Sequence, residues 1–158
     1  MEEKRIKRYP IGVQTFNEII DGCYHYIDKT GYVYEIVNAY KYVFLSRPRR
    51  FGKSLLSTTF HSYLAGEKEL FDGLKAGELE NEWRKHPVFH FDMSTAKHLD
   101  EEQLLRTLSY KLSAYESSFG KDPELKEEDI NARFERLVKI AVEQTGEKAV
   151  IIIDEYDS

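Results

Sequence analysis

The segment Tyr42-Val43-Phe44-Leu45-Ser46-Arg47-Pro48-Arg49-Arg50-Phe51-Gly52-Lys53-Ser54 runs from a β-rich apolar quartet through a basic loop to a Gly-Lys-Ser tripeptide. Tyr42 to Leu45 fits a buried strand. Pro48 and Gly52 punctuate the loop. Behind it, Leu55, Leu56, Thr59, Phe60, Tyr63 and Leu64 recur at helical spacing, and Gly66 ends that helix. Strand, loop and helix in this order are the setting of a phosphate-binding loop of the Walker A type. Backbone N–H groups at the helix start point at an anion, and the positive helix end adds to them. The expected nucleotide-binding set is Arg49, Arg50, Phe51, Gly52, Lys53, Ser54 and Leu55. Lys53 would reach the β- and γ-phosphates, and the Ser54 hydroxyl would ligate Mg²⁺. One position departs from the pattern: Arg47 stands where a glycine normally permits a tight turn. The competing reading is a basic surface loop whose glycine starts a helix.

Further along, Val150-Ile151-Ile152-Ile153-Asp154-Glu155 places β-branched residues directly before two acids. Open parallel sheets bind ligands at the C-terminal ends of their strands. Beside a phosphate loop, Asp154 is the expected Walker B metal ligand, acting with Ser54. Glu155 is then the expected catalytic base, placed to polarise water for attack on the γ-phosphate. The competing reading is a strand that ends in a polar turn, since Asp157 and Ser158 continue the polarity. About a hundred residues separate Lys53 from Asp154, room for one intervening strand and its helices. Small-molecule kinases with such a loop use a substrate hydroxyl as nucleophile and need no water-activating glutamate. The doublet therefore favours hydrolysis, in the additional-strand class of ATPases.

The remaining pattern alternates. Thr15 to Ile20 and Thr30 to Tyr40 read as short helices, the second capped by Asp28 or Thr30. Glu78 to Lys85 reads as a surface helix packed through Trp83. Pro87 precedes a second strand, Val88 to Met93. Asp100 with Gln103 forms a capping-box pattern ahead of Leu104, Leu105, Leu108, Leu112 and Tyr115. Ile130, Phe134, Leu137, Val138, Ala141 and Val142 mark another amphipathic helix, stopped by Gly146. Asp92, at a strand end, reads as a helix cap or as a group behind the metal. Such alternation implies an α/β fold with a parallel sheet covered on both faces.

Composition narrows the function classes. A length of 158 residues suits one domain, and 41% hydrophobic with 32% charged residues excludes a disordered chain. Twenty-three basic against 28 acidic residues give a net charge of −5, which disfavours a general polyanion or membrane-surface binder. Nucleic acid is not indicated. The basic residues Lys41, Arg47, Arg49, Arg50 and Lys53 nevertheless form an acid-free island, which points to a local anion site. The one cysteine, Cys23, permits no intramolecular disulfide or multi-cysteine zinc site and reads as a small buried residue. No apolar stretch follows the charged first residues, and no run is long enough for a transmembrane helix. A cytoplasmic location is expected.

Four blocks together resemble the bacterial AAA-ATPase-like family. They are Tyr26-Ile27-Asp28-Lys29-Thr30, Phe44 to Leu56, Pro87-Val88-Phe89-His90-Phe91-Asp92 and Ile153-Asp154-Glu155-Tyr156-Asp157. The resemblance runs from about Pro10 to the last residue, and Arg47 in place of glycine is normal for it. It implies a three-layer P-loop NTPase sheet of the additional-strand, AAA-like type, with ATP and Mg²⁺ as ligands. Full-length members often carry a restriction-nuclease-like domain further along. The expected organisation is a helical segment, 1–40, followed by a P-loop core through Walker B, 41–158. In this class a fourth strand inserts between the first and the third and brings a sensor residue, and a later arginine completes the site. The chain is thus expected to be the N-terminal part of the ATPase module, truncated after the third core strand. Such a piece would leave apolar strand edges unpaired, self-associate and turn over little ATP. The implied function is Mg-ATP binding, with hydrolysis in the complete form. A non-hydrolysing nucleotide switch, an interaction module and an inactive fragment of a longer ATPase are the alternatives.

Overall fold

The computed structural model describes residues 7–46, 48, 51–94 and 100–155. They form a mixed α/β structure that divides into two compact units, Met1–Arg84 and Lys85–Ser158.

The described part of the first unit is helical. Helix α1 is Phe16–Asp21, α2 is Thr30–Ala39, α3 is Lys53–Leu64 and α4 is Lys75–Leu79, with a 3₁₀ turn at Lys68–Phe71. Helices this short are marginal alone and depend on packing. Here the packing is aromatic. Phe16 meets Phe71 at 4.9 Å and Tyr26 at 5.4 Å. Trp83 lies 5.1 Å from Phe71 and 5.5 Å from Tyr63, whose hydroxyl bonds the Glu80 carboxylate. Burial pushes the Tyr63 hydroxyl above the ordinary tyrosine range, and Glu80 adds to the effect. At Gly77 a Cβ would lie 2.2 Å from the Phe71 carbonyl oxygen, so only glycine lets α4 close on the preceding turn.

The second unit is a sheet under two helices. Strand β1, Val88–Asp92, pairs in parallel with β2, Val150–Asp154, in the register Val88↔Val150 through Asp92↔Asp154. Helices α5, Glu101–Phe119, and α6, Ile130–Thr145, connect them. The Asp100 carboxylate accepts from the Gln103 amide at 2.8 Å, so that end of the capping pattern forms. Gly146 closes α6 at φ 71°, the left-handed conformation glycine supplies at a helix end. Phe89 and Phe91 bury their rings among Leu112, Phe134, Leu137 and Ala141. Tyr115 caps the β1 backbone at His90, accepting from its N–H at 2.7 Å and donating to its C=O at 3.0 Å.

Several expectations are corrected. Tyr42–Leu45 is not a buried strand: Tyr42 is 83% and Phe44 73% exposed, and the run joins no sheet. β-propensity makes a strand only where a neighbouring backbone completes the ladder. Among the described residues of its unit the one bridge is Arg8 with Tyr24. The sheet of the described residues therefore has two strands, not three. Nor is β2 covered on both faces. Ile151 and Ile153 share a face with their partners Phe89 and Phe91, yet stay 50% and 57% exposed beside Leu104, Leu108 and Ile130. Trp83 follows α4 at φ 39° instead of lying in a helix, because the helix comes earlier, at Lys75–Leu79. Cys23 is exposed, in a left-handed turn after α1 at φ 52°.

Candidate functional site

The phosphate-loop candidates lie in the first unit and the acid doublet in the second. Arg47, Arg49 and Arg50 lie outside the described residues. Phe51 is exposed. Gly52 takes φ 74° and ψ 28°, a left-handed conformation that a β-carbon disfavours, and α3 starts at the next residue. Added atoms would meet nothing there within 4 Å, so the backbone angle and not space calls for glycine. Lys53, Ser54 and Leu55 form the first turn, all half-buried. The first turn contains no acid, and its N-cap residue, Gly52, has no side chain to cap it. The first helical bond runs from the Leu56 amide to the Gly52 carbonyl at 3.0 Å. A twelve-residue helix thus begins directly behind a glycine, with its positive end following a stretch of basic sequence.

In the second unit, Asp154 ends β2 and is 9% exposed. Its Oδ1 accepts from the Glu155 amide at 3.0 Å. Glu155 sits at φ 57°, where non-glycine residues are uncommon and strain is held. Glu155 lines the same hollow as Ile151 and Ile153. Register places Asp92 next to Asp154 at the same sheet end. Burial pushes the Asp92 carboxyl up, but the Ser94 amide and hydroxyl and the charge of Lys111 outweigh it and hold the group below its ordinary value. Asp92 accepts from Ser94 at 2.8 Å, a turn bond. Among the described residues, no three His, Cys, Asp or Glu side chains gather as a metal cage.

The family model described as "Predicted AAA-ATPase" matches residues 10–158. The chain belongs to this AAA-ATPase-like family. A relative from Azotobacter chroococcum mcd 1, described as "Uncharacterized protein in vnfD 5'region", is 37% identical over 152 residues. The match takes in 96% of this chain and 29% of the relative, so the chain spans less than a third of that protein's length. No solved structure matches it. No described helix is long and apolar enough to cross a membrane. For an AAA-ATPase-like chain, a nucleotide is the ligand to test against the exposed start of α3.

The expected cap at the start of α2 forms at Asp28, and it reaches further than the sequence pattern indicates. Thr30 is fully buried, whereas Asp28 is exposed. Asp28 accepts from the Thr30 amide at 2.8 Å, the Thr30 hydroxyl at 2.7 Å and the Lys75 amide at 2.7 Å. The Thr30 hydroxyl in turn accepts from the Ala76 amide at 2.9 Å. The pair caps α2 and α4 together. An acid two residues before a threonine at a helix start was the available signal.

Proposed function

We propose that this chain is the nucleotide-binding front of an AAA-type ATPase, taking Mg-ATP at the Gly52–Leu55 turn. The observation that carries the reading is the start of α3 at Lys53, directly behind a left-handed Gly52. In this reading the first-turn amides and the Lys53 ammonium hold phosphate oxygens. Arg49, Arg50 and Phe51 complete the loop. In the first unit the Ser54 hydroxyl is the group proposed to hold the metal; in the second, Asp154 is the candidate Walker B carboxylate and Glu155 the candidate base for the attacking water. Bound Mg²⁺ neutralises charge on the phosphate oxygens. Membership of the family supports ATP as the nucleotide.

The test is a titration with mant-ATP, with and without Mg²⁺. Lys53→Ala removes one charge-assisted contact, and such contacts are worth roughly 1.5–3 kcal/mol. Affinity should fall about 10- to 100-fold while circular dichroism stays unchanged, because Lys53 opens a helix and is not part of the apolar core. A folded Lys53→Ala protein that binds ATP like its parent would sink the reading.

A second expectation concerns the β2 edge. Among the described residues β2 pairs only with β1, and Ile151 and Ile153 are exposed beside it. Apolar edges of this kind attract other chains. Sedimentation should show mass rising with concentration, and Ile151→Lys should return the protein to a monomer. A parent that stays monomeric at every concentration would refute this.

A further inference from the structure

The two edges of the second unit's sheet are not alike. In a parallel pair, alternate residues of a strand turn their N–H and C=O to one neighbour, and the residues between turn theirs to the other side. The Val150 amide donates to the Pro87 carbonyl at 2.9 Å, and the Met93 amide donates to the Asp154 carbonyl at 2.9 Å. With Phe89 opposite Ile151 and Phe91 opposite Ile153, this parity turns the backbone of Phe89 and Phe91 towards β2 and that of His90 away from it. It likewise turns the backbone of Ile152 towards β1 and that of Ile151 and Ile153 outward.

On the β1 side the outward groups at mid-strand are already used. The Tyr115 hydroxyl accepts from the His90 N–H at 2.7 Å and donates to the His90 C=O at 3.0 Å. One hydroxyl thereby makes both bonds that a neighbouring strand would make at this residue. Its ring packs edge-to-face on Phe89 at 5.1 Å and on Phe91 at 5.9 Å, so α5 delivers the hydroxyl from a fixed position. The β2 side differs. Among the described residues β2 pairs only with β1, and the side chains of Ile151 and Ile153 are exposed. The sheet is thus closed at the middle of one edge and open along an apolar stretch of the other.

We propose that Tyr115 is an edge lock that lets this sheet extend only through β2, and that a second copy of the chain takes that edge, β2 against β2, in a pair that grows no further. Symmetry and charge favour this occupant. Antiparallel pairing about a two-fold axis through Ile152 sets Ile151 of one copy opposite Ile153 of the other, with their outward N–H and C=O groups facing. It sets each Asp154 opposite Val150 of the other copy, so the two Asp154 carboxylates do not meet. A parallel pairing in register would instead line up Asp92 and Asp154 of both copies at one sheet end, where like charges oppose it. In the antiparallel pair both open edges are consumed. The edges left outside are the two β1 strands, each closed by its Tyr115. Association at β2 is thereby limited to two copies, and neither the lock nor the pair depends on a nucleotide.

The experiment is sedimentation of the 158-residue protein over a concentration series, with amide hydrogen exchange read at His90. The parent should level off at twice the mass of one chain, with a slowly exchanging His90 amide. Tyr115→Phe keeps the ring and removes the hydroxyl. Its His90 amide should exchange about two- to tenfold faster, and its mass should pass the two-copy limit. Val138 packs against the same core, so Val138→Ala loosens that core without touching the edge and should stay at two copies. Tyr115→Phe combined with Ile151→Lys should form a pair again, now through β1. A parent that stays monomeric, or that grows past two copies, overturns the proposal. So does a Tyr115→Phe protein that stops at two copies. A Val138→Ala protein that passes two copies overturns it as well, since loosened packing would then be the cause. If Tyr115→Phe does not fold, the parent decides: a His90 amide exchanging as fast as an unprotected one overturns the lock.

Discussion

Arg133→Ala is expected to destabilise the second unit by about 3–5 kcal/mol, the usual cost of leaving one half of a buried ion pair. Arg133 is 2% exposed, although it is a charged residue on an amphipathic helix. Its guanidinium donates to both Glu116 oxygens, at 2.9 and 2.8 Å, and to the Ser109 and Ser113 hydroxyls and the Glu127 carbonyl. Every edge of the fork is used, and α6 is pinned to α5 through it. Removing Arg133 strands the Glu116 carboxylate and these oxygens together. The hydrogen bond from Arg133 holds the Glu116 carboxyl below its ordinary value, with burial opposing and the Arg133 charge assisting. A depressed carboxyl stabilises the fold above its unfolded value, about 4.3, and loses that contribution as pH falls through the folded value. Urea melts should therefore show the parent losing stability below about pH 4.3, with the Arg133→Ala protein flatter there. Replacing both partners, as Arg133→Met with Glu116→Leu, should recover much of the loss, because no buried charge remains unpaired. A single variant within 1 kcal/mol of the parent would show that the pair is not closed in solution.

This pair marks the limit of what the sequence displays. Arg133 sits between Ile130 and Phe134 and looks like an ordinary solvent-facing charge; only the meeting of α5 and α6 shows that it is inside. The elements themselves are legible where local chemistry sets them. Asp100 and Gln103 announce the start of α5, Gly146 the end of α6, and the β-branched run at 150–153 a strand. The missing strand has a physical origin. Tyr42–Leu45 has the composition of a strand, but a strand is a relation between two backbones, and composition does not supply the second one. The candidate site divides in the same way. Gly52-Lys53-Ser54 and Asp154-Glu155 are visible because their chemistry is carried by residue type at fixed spacing. The backward bonds of Thr58 and Thr59 to the Leu55 carbonyl are not visible, because a hydroxyl bonded to its own helix reads like any other small polar residue. The Glu155 backbone angle is a further feature that no residue pattern announces, since glutamate has no preference for φ 57°.

That angle shapes the other large effect. In a full-length protein carrying this segment, Glu155→Gln is expected to keep ATP bound and slow hydrolysis by about 10²–10⁴, the usual worth of a positioned acid–base group. Glutamine keeps the shape and the backbone strain and removes only the proton acceptor. Asp154→Asn should act differently, weakening the Mg²⁺-dependent part of binding, because it removes charge from the position proposed to hold the metal. Phosphate release and mant-ATP titration separate the two roles: a loss in kcat for Glu155→Gln, and a loss in affinity for Asp154→Asn. Glu155→Gly adds a control that a passive turn residue would not satisfy. Glycine relaxes the left-handed conformation, so the fold should gain stability or keep it. Turnover should still collapse, since the carboxylate is gone. A strained residue that is easier to fold without, yet cannot be spared for hydrolysis, is held in place by function. If Glu155→Gln and Glu155→Gly both hydrolyse ATP like the parent, Glu155 is an ordinary turn residue and the base lies elsewhere.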